Sequence, residues 1–216
     1  MNASPQLQIP SIRAEFAAIL PADSNVVSIP RTLAPSMVER LDRLSKGKGF
    51  AHRVRLDASA MDVTPLLRSI PDEADRAFLR DDITDLAHQL AVLLDCRHLD
   101  AQLYTQRSDG CRKIHSDNVP LRIMCTYAGP GTDWLPESDL VREHLGPSEL
   151  DAETANRRVI REGSRLQRCG VGDILLLKGD RFPGNLGRGA AHRSPPLEAD
   201  GATRVVLKID QARCGC

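Results

Sequence analysis

Two side chains in Cys-Arg-Lys-Ile-His-Ser-Asp-Asn, residues 111–118, carry metal-ligand chemistry at a useful spacing. His115 and Asp117 are two apart, and alternate side chains of an extended strand point to one face. One imidazole and one carboxylate could therefore meet a single cation, although His-x-Asp alone specifies little. A third candidate, His192, stands in Gly-Ala-Ala-His-Arg-Ser-Pro-Pro, between a glycine-rich loop and the apolar stretch ATRVVLKID. Returned to His115 and Asp117, it would complete two imidazoles and one carboxylate. Three protein ligands leave coordination positions open. That suits Fe(II) holding a cosubstrate and O₂, or a divalent ion that activates water. Cys111 shares the strand parity of His115 and Asp117. A closed zinc site of Cys111, His115, Asp117 and His192 is therefore an alternative, with Cys125, Cys169, Cys214 and Cys216 as further thiols.

Arg204 lies inside ATRVVLKID. A guanidinium admitted to an apolar strand must be paired, or its burial is costly. Its planar fork matches a carboxylate. A ligand carboxylate, a structural ion pair and an exposed edge position all fit.

The elements that must position these residues divide near residue 95. Residues 72–95 give the clearest helix. Pro71, Asp72 and Glu73 open it as helix N-termini prefer, and Leu79, Ile83, Leu86, Leu90, Leu93 and Leu94 recur at helical spacing. Shorter helices are predicted at 11–20 and 34–44, and strands at 26–29 and 51–56. Beyond 95, extended segments separated by Gly, Pro and Asp follow at 99–105, 111–117, 120–127, 164–168, 172–177, 190–194 and 203–210. Helices followed by strands predict one α+β domain over 11–210, with helical support at 11–95 bracing a β core at 96–210. Residues 1–10 are expected to be disordered, and 211–216 to form a tail. A polar insert at 128–163, carrying Pro130, Pro136 and Pro147, interrupts the strands as a lid or a surface excursion would. It holds the only tryptophan, Trp134, which either lines a pocket or anchors the loop.

Composition narrows the function classes. Lys+Arg and Asp+Glu are both 29, so the formal net charge is +0. A general nucleic-acid binder carries a basic excess, which is missing here. No apolar run approaches the ~20 residues of a membrane span. The N-terminus, MNASPQLQIPSIRAEF, has no basic segment followed by an apolar one. The cytoplasm is therefore the expected compartment, where cysteines stay reduced. No C-x-x-C pair, P-loop, dinucleotide fingerprint or G-x-S-x-G elbow occurs.

Taken in order, Tyr104, His115-Ser-Asp117, the strand from Arg122 to Tyr127, Gly172-Asp173 leading into Ile-Leu-Leu-Leu, His192 and Arg204 form a pattern. Through it, residues 99–210 resemble the double-stranded β-helix (jelly-roll, cupin-like) core of Fe(II)/2-oxoglutarate dioxygenases, in particular the prolyl-hydroxylase-like branch. The resemblance implies that His115, Asp117 and His192 bind iron, that Arg204 takes the distal carboxylate of 2-oxoglutarate, and that Tyr127 shares it. Asn118, Trp134 and Arg193 would then touch a small-molecule or protein substrate, whose identity the sequence leaves open.

Over most of its length the chain also resembles an uncharacterised bacterial family of unknown function. The stretches that carry this are DNVP (117–120), GPGTDWLP (129–136), the KG…PGN…G loop (178–187) and HRSPP (192–196). Members of that family are often found beside zinc-homeostasis genes. This second resemblance implies the alternative of a non-catalytic zinc-binding protein.

Overall fold

The protein is described here by a computed structural model covering residues 12–197 and 201–212. The expected disorder at 1–10 and the thiols of Cys214 and Cys216 lie outside the described residues.

The helix predicted at 72–95 is present as Glu73–Leu93. Asp72 caps it, its carboxylate accepting from the Asp75 backbone N–H at 2.9 Å. Leu79, Ile83, Leu86 and Leu90 are fully buried along one stripe. Two shorter helices, Ala14–Ala17 and Pro35–Lys46, add Phe16 and Leu41. All these side chains share one apolar cluster with Leu99, Leu103, Ile123 and Leu207 from the strands.

In chain order the strands are β1 (Val26–Ile29), β2 (Ala51–Asp57), β3 (His98–Gln106), β4 (Leu121–Ala128), β5 (Asp133–Leu135), β6 (Gln167–Arg168), β7 (Ile174–Lys178), β8 (Ala191–Arg193) and β9 (Arg204–Gln211). Six of them form an antiparallel sheet in the order β1-β7-β4-β9-β3-β2, and three form a small sheet in the order β6-β5-β8. One bridge, His115 to His192, adds the segment before β4 to the edge of the small sheet. From β3 onward the chain therefore shuttles between the two sheets.

Alternation gives the large sheet two unlike faces. Leu99, Ala101 and Leu103 of β3, Leu121, Ile123 and Cys125 of β4, and Val205, Leu207 and Ile209 of β9 join the helices in the apolar cluster. The intervening residues form the opposite face. They include Asp100, Gln102 and Tyr104, then Arg122, Met124 and Thr126, then Arg204, Val206, Lys208 and Asp210. Cross-strand register places Arg122 opposite Asp210, and Met124 opposite Lys208 and Leu175.

Three expectations need correction. The β core is not confined to 96–210: the strands predicted at 26–29 and 51–56 are present as β1 and β2 and complete the large sheet at its two edges. The segment 128–163 is not a strandless insert: β5 is the central strand of the small sheet, and Ala152–Val159 is a helix capped by Asp151. Residues 111–117 do not form a continuous strand; only His115 makes a bridge. No helix among the described residues is long and apolar enough to cross a membrane.

Candidate metal centre

His115 and His192 exchange both backbone hydrogen bonds at 3.0 Å. Residues paired in this way carry their side chains on the same face, and the two imidazole centroids are 4.5 Å apart. Each ring is fixed through Nδ1. His115 Nδ1 meets the Lys113 carbonyl at 3.0 Å, and His192 Nδ1 meets the Ala190 carbonyl at 3.1 Å. Because a carbonyl only accepts, Nδ1 carries a proton in each ring, and Nε2 is the nitrogen a metal would take. Asp117 supplies the third donor. Its Oδ2 lies 3.1 Å from His192 Nε2, and its Oδ1 lies 3.9 Å from His115 Nε2. One ligand atom from each residue falls within 4.8 Å of the others.

Burial sets the electrostatics. It pushes Asp117 upward, but the hydrogen bond and charge of His192, with Arg122 and His115, outweigh it and hold the carboxyl well below the usual carboxylate range. Burial, with His192 second, lowers the His115 imidazole. Both directions favour the ligating forms, carboxylate and neutral imidazole. Arg122 was absent from the sequence-derived site, yet its Nη1 donates to Asp117 while Nε and Nη2 grip Asp210 at 2.7 and 2.9 Å. The available signal was a lone arginine at an even position of an otherwise apolar strand.

The backbone around Asp117 is closely packed against the loop after β7. Gly179 lies so near that a Cβ would stand 2.6 Å from the Asp117 carbonyl and 2.0 Å from that of Val119. Asp180 accepts from Ser116 Oγ at 2.9 Å and from the Gly189 N–H at 2.8 Å, tying together the two segments that carry the histidines.

Arg204 is 1% exposed. Its Nη2 donates to Thr126 Oγ1 at 2.9 Å and Thr132 Oγ1 at 3.0 Å, while Nε has no partner. It makes no ion pair among the described residues. Burial pulls its pKa down to about 10, against the opposing pull of Tyr104 and Asp133. Gly129, at φ +78°, allows the close approach; a Cβ there would meet Arg204 Cα at 2.9 Å. Thr126 and Thr132 had not been anticipated.

Tyr127 is not at this site, contrary to the expectation that it shares a carboxylate with Arg204. It has the parity of Leu121, Ile123 and Cys125, so alternation turns it toward the helices. There it is fully buried, its hydroxyl donating to Asp82 Oδ2 at 2.6 Å and its ring edge-on to Phe78. Burial, then the Asp82 charge, raises its pKa well above the tyrosine norm. Tyr104 is the tyrosine on the Arg204 face; burial raises its pKa, with Arg204 pulling against it.

Trp134 stands in β5, in register with His192, and packs against the cluster of Cys169, Leu175, Leu177 and Ala190. Arg193 is held by Asp133, Nε to Oδ2 at 3.1 Å, rather than facing outward unpaired. Asn118 is exposed directly after Asp117. Cys111 is exposed and does not enter the ligand cluster, so the four-ligand zinc site is not assembled. Two cavities lie nearby. One of about 770 Å³ is lined by His115, Ser116 and residues 145–149. The other, of about 740 Å³, lies on the Arg122 side.

Residues 12–210 match the family described as "Protein of unknown function (DUF1826)", and the chain belongs to that family. No curated protein matches the chain. Among solved structures, a prolyl-4-hydroxylase from Pseudomonas putida is similar at 9% identity and a TM-score of 0.46, over 95% of this chain and 100% of that one. AviO1 from Streptomyces viridochromogenes is similar at 14% identity and 0.45, over 96% and 98%. HygX from Streptomyces hygroscopicus, solved with nickel and 2-oxoglutarate bound, is similar at 15% identity and 0.42, over 94% and 88%. Overlaps of this size carry no weight for the chemistry, which rests on the strand order and side chains of this chain.

Proposed function

We propose that the protein is an Fe(II)/2-oxoglutarate-dependent dioxygenase on a double-stranded β-helix core. One observation carries the reading. The His115–Asp117–His192 cluster accompanies Arg204, a buried guanidinium with no carboxylate partner among the described residues. A buried cation without a counter-charge is costly, and an anionic ligand placed beside the cluster would offset that cost.

The strand order supports the same reading. The run β7-β4-β9-β3 and the set β6-β5-β8 with its His115 bridge are joined by a chain that passes repeatedly from one sheet to the other, as in a jelly roll. The donor set fits Fe(II), because two imidazoles and one carboxylate leave open positions. Both rings are fixed by backbone carbonyls, as ligating histidines usually are. When bound, iron with 2-oxoglutarate and O₂ would supply oxidation of a substrate C–H bond, with release of CO₂ and succinate.

The chain's own residues do the rest. His115 and His192 hold their Nε2 atoms in place as donors, and Asp117 contributes one negative charge. Arg122 orients Asp117. Arg204, steadied by the Thr126 and Thr132 hydroxyls, binds the distal carboxylate of the cosubstrate away from water, where a charge-assisted hydrogen bond is strongest. Trp134 walls the site beside His192, and Asn118 lies at its rim. The substrate is a separate molecule, neither nucleic acid nor membrane lipid. A reducing, cytoplasmic setting agrees with the free thiols of Cys111, Cys125 and Cys169.

Turnover without substrate tests this. With Fe(II), O₂ and 2-oxoglutarate, the protein should form succinate slowly, and His192→Ala should abolish it. Absence of succinate from iron-loaded wild-type protein would contradict the reading.

A further inference from the structure

The cavity on the Arg122 side differs from the rest of the molecule in charge. It lies against the face of the large sheet that turns away from the helices, where β2, β3, β9 and β4 adjoin. Arg53, Arg55, Arg122, Arg181 and Lys208 line it, against Asp100 and Asp210. The whole chain has a formal net charge of +0, so this excess is local. Both carboxylates are already engaged. Asp100 is shared by Arg53 at 3.0 Å and Arg55 at 3.6 Å. Asp210 is gripped through both oxygens by Arg122. Lys208 and Arg181 have no carboxylate partner among the described residues.

Lys208 is the more telling of the two. It is half-buried in the middle of β9, in register with Gln102 and Met124. An ammonium there loses hydration without a carboxylate in ion-pair contact, although Asp210 and Asp117 attract it from farther away. Burial first, then the Arg122 charge, pulls its pKa below the ordinary lysine value. A concave surface of one sign focuses field lines and draws in the opposite charge. Guanidinium and ammonium groups are the usual receivers of phosphate and carboxylate oxygens. A volume of about 740 Å³ suits a small molecule. Arg122 links the cavity to the metal cluster, since it lines the cavity and donates to Asp117.

We propose that this cavity binds a small oxyanion-bearing molecule, a phosphate or carboxylate compound, and holds it by its acid groups as the substrate of the adjoining centre. Only the word substrate rests on the dioxygenase reading; the anion site stands on the cavity itself.

Calorimetric titration of the full-length protein, loaded anaerobically with Fe(II), with inorganic pyrophosphate and, separately, with tricarballylate tests it, followed by 2-oxoglutarate. At least one anion should bind at a single site, more weakly as salt rises. Lys208→Gln with Arg181→Gln should weaken that binding by about tenfold or more, and Lys208→Arg should retain it, separating charge from folding. Affinity for 2-oxoglutarate should be unchanged in all variants. Binding of pyrophosphate alone assigns a phosphate ligand, and binding of tricarballylate alone a carboxylate one. The proposal is overturned if neither anion binds, if the double variant binds as tightly as wild type, or if 2-oxoglutarate displaces the anion one for one. Anion binding without any 2-oxoglutarate binding would remove the dioxygenase reading and leave the anion site standing.

Discussion

The two faces of the large sheet are made by alternate residues of the same strands, and they hold opposite chemistry. Toward the helices lie Ile123, Leu207, Leu103 and their neighbours, all fully buried and apolar. One residue along each strand lie Arg122, Lys208 and Gln102, and beyond them Arg204. The first face stabilises by removing apolar area from water. The second contains charges that the fold only partly compensates. The lesson is that the strands spend their apolar parity on stability and their other parity on ligands, so a one-residue shift separates a structural position from a functional one.

Several substitutions would break or sharpen that contrast. Ile123→Asp puts a carboxylate on the dry face, where nothing pairs it. It should cost at least about 4 kcal/mol in urea unfolding, although arginine is the native residue one position earlier. Arg122→Met, on the other face, leaves Asp117 and Asp210 without their shared cation. Unfolding free energy should fall by about 3 kcal/mol, and metal affinity should drop about 10- to 100-fold, because an orienting partner of a ligand is lost. Tyr127→Phe removes the hydroxyl bond to Asp82 and should cost about 2 kcal/mol. It should leave 2-oxoglutarate affinity unchanged, because Tyr127 belongs to the helix side. Arg204→Leu should have the smallest effect on folding, between no change and a gain of about 1 kcal/mol, because it replaces an incompletely paired buried cation with an apolar group. Loss of several kcal/mol in that variant would show that Arg204 is structural.

Much of this arrangement is legible in the sequence, for local reasons. The helix at 73–93 announces itself by its acidic start after Pro71 and its leucine spacing. The two-residue spacing of His115 and Asp117 singles them out, and their donor atoms do converge although only His115 is strand-paired; Arg204 stands out as a charge within an apolar run. The assignments that fail depend on information that is not local. Tyr127 has the wrong parity for the site, and a register shift between Thr126 and Ala128 makes its side invisible to motif matching. Strand β5 is only three residues long and lies just beyond GPGT, so it looks like loop until its partners at 167–168 and 191–193 are known. The pairing of Arg122 with Asp210 spans 88 residues, and no spacing rule reaches that far. Cys111 matches its neighbours in parity only if 111–117 is one extended strand, and it is not.

The most direct test of the central claim is an anaerobic titration of Fe(II)-loaded protein with 2-oxoglutarate, followed by visible absorption. A charge-transfer band should grow to one equivalent in wild-type protein. It should be absent in His192→Ala, which lacks the metal, and should require far more 2-oxoglutarate in Arg204→Leu, which keeps it. No band in iron-loaded wild-type protein, or an identical titration in Arg204→Leu, would contradict the account.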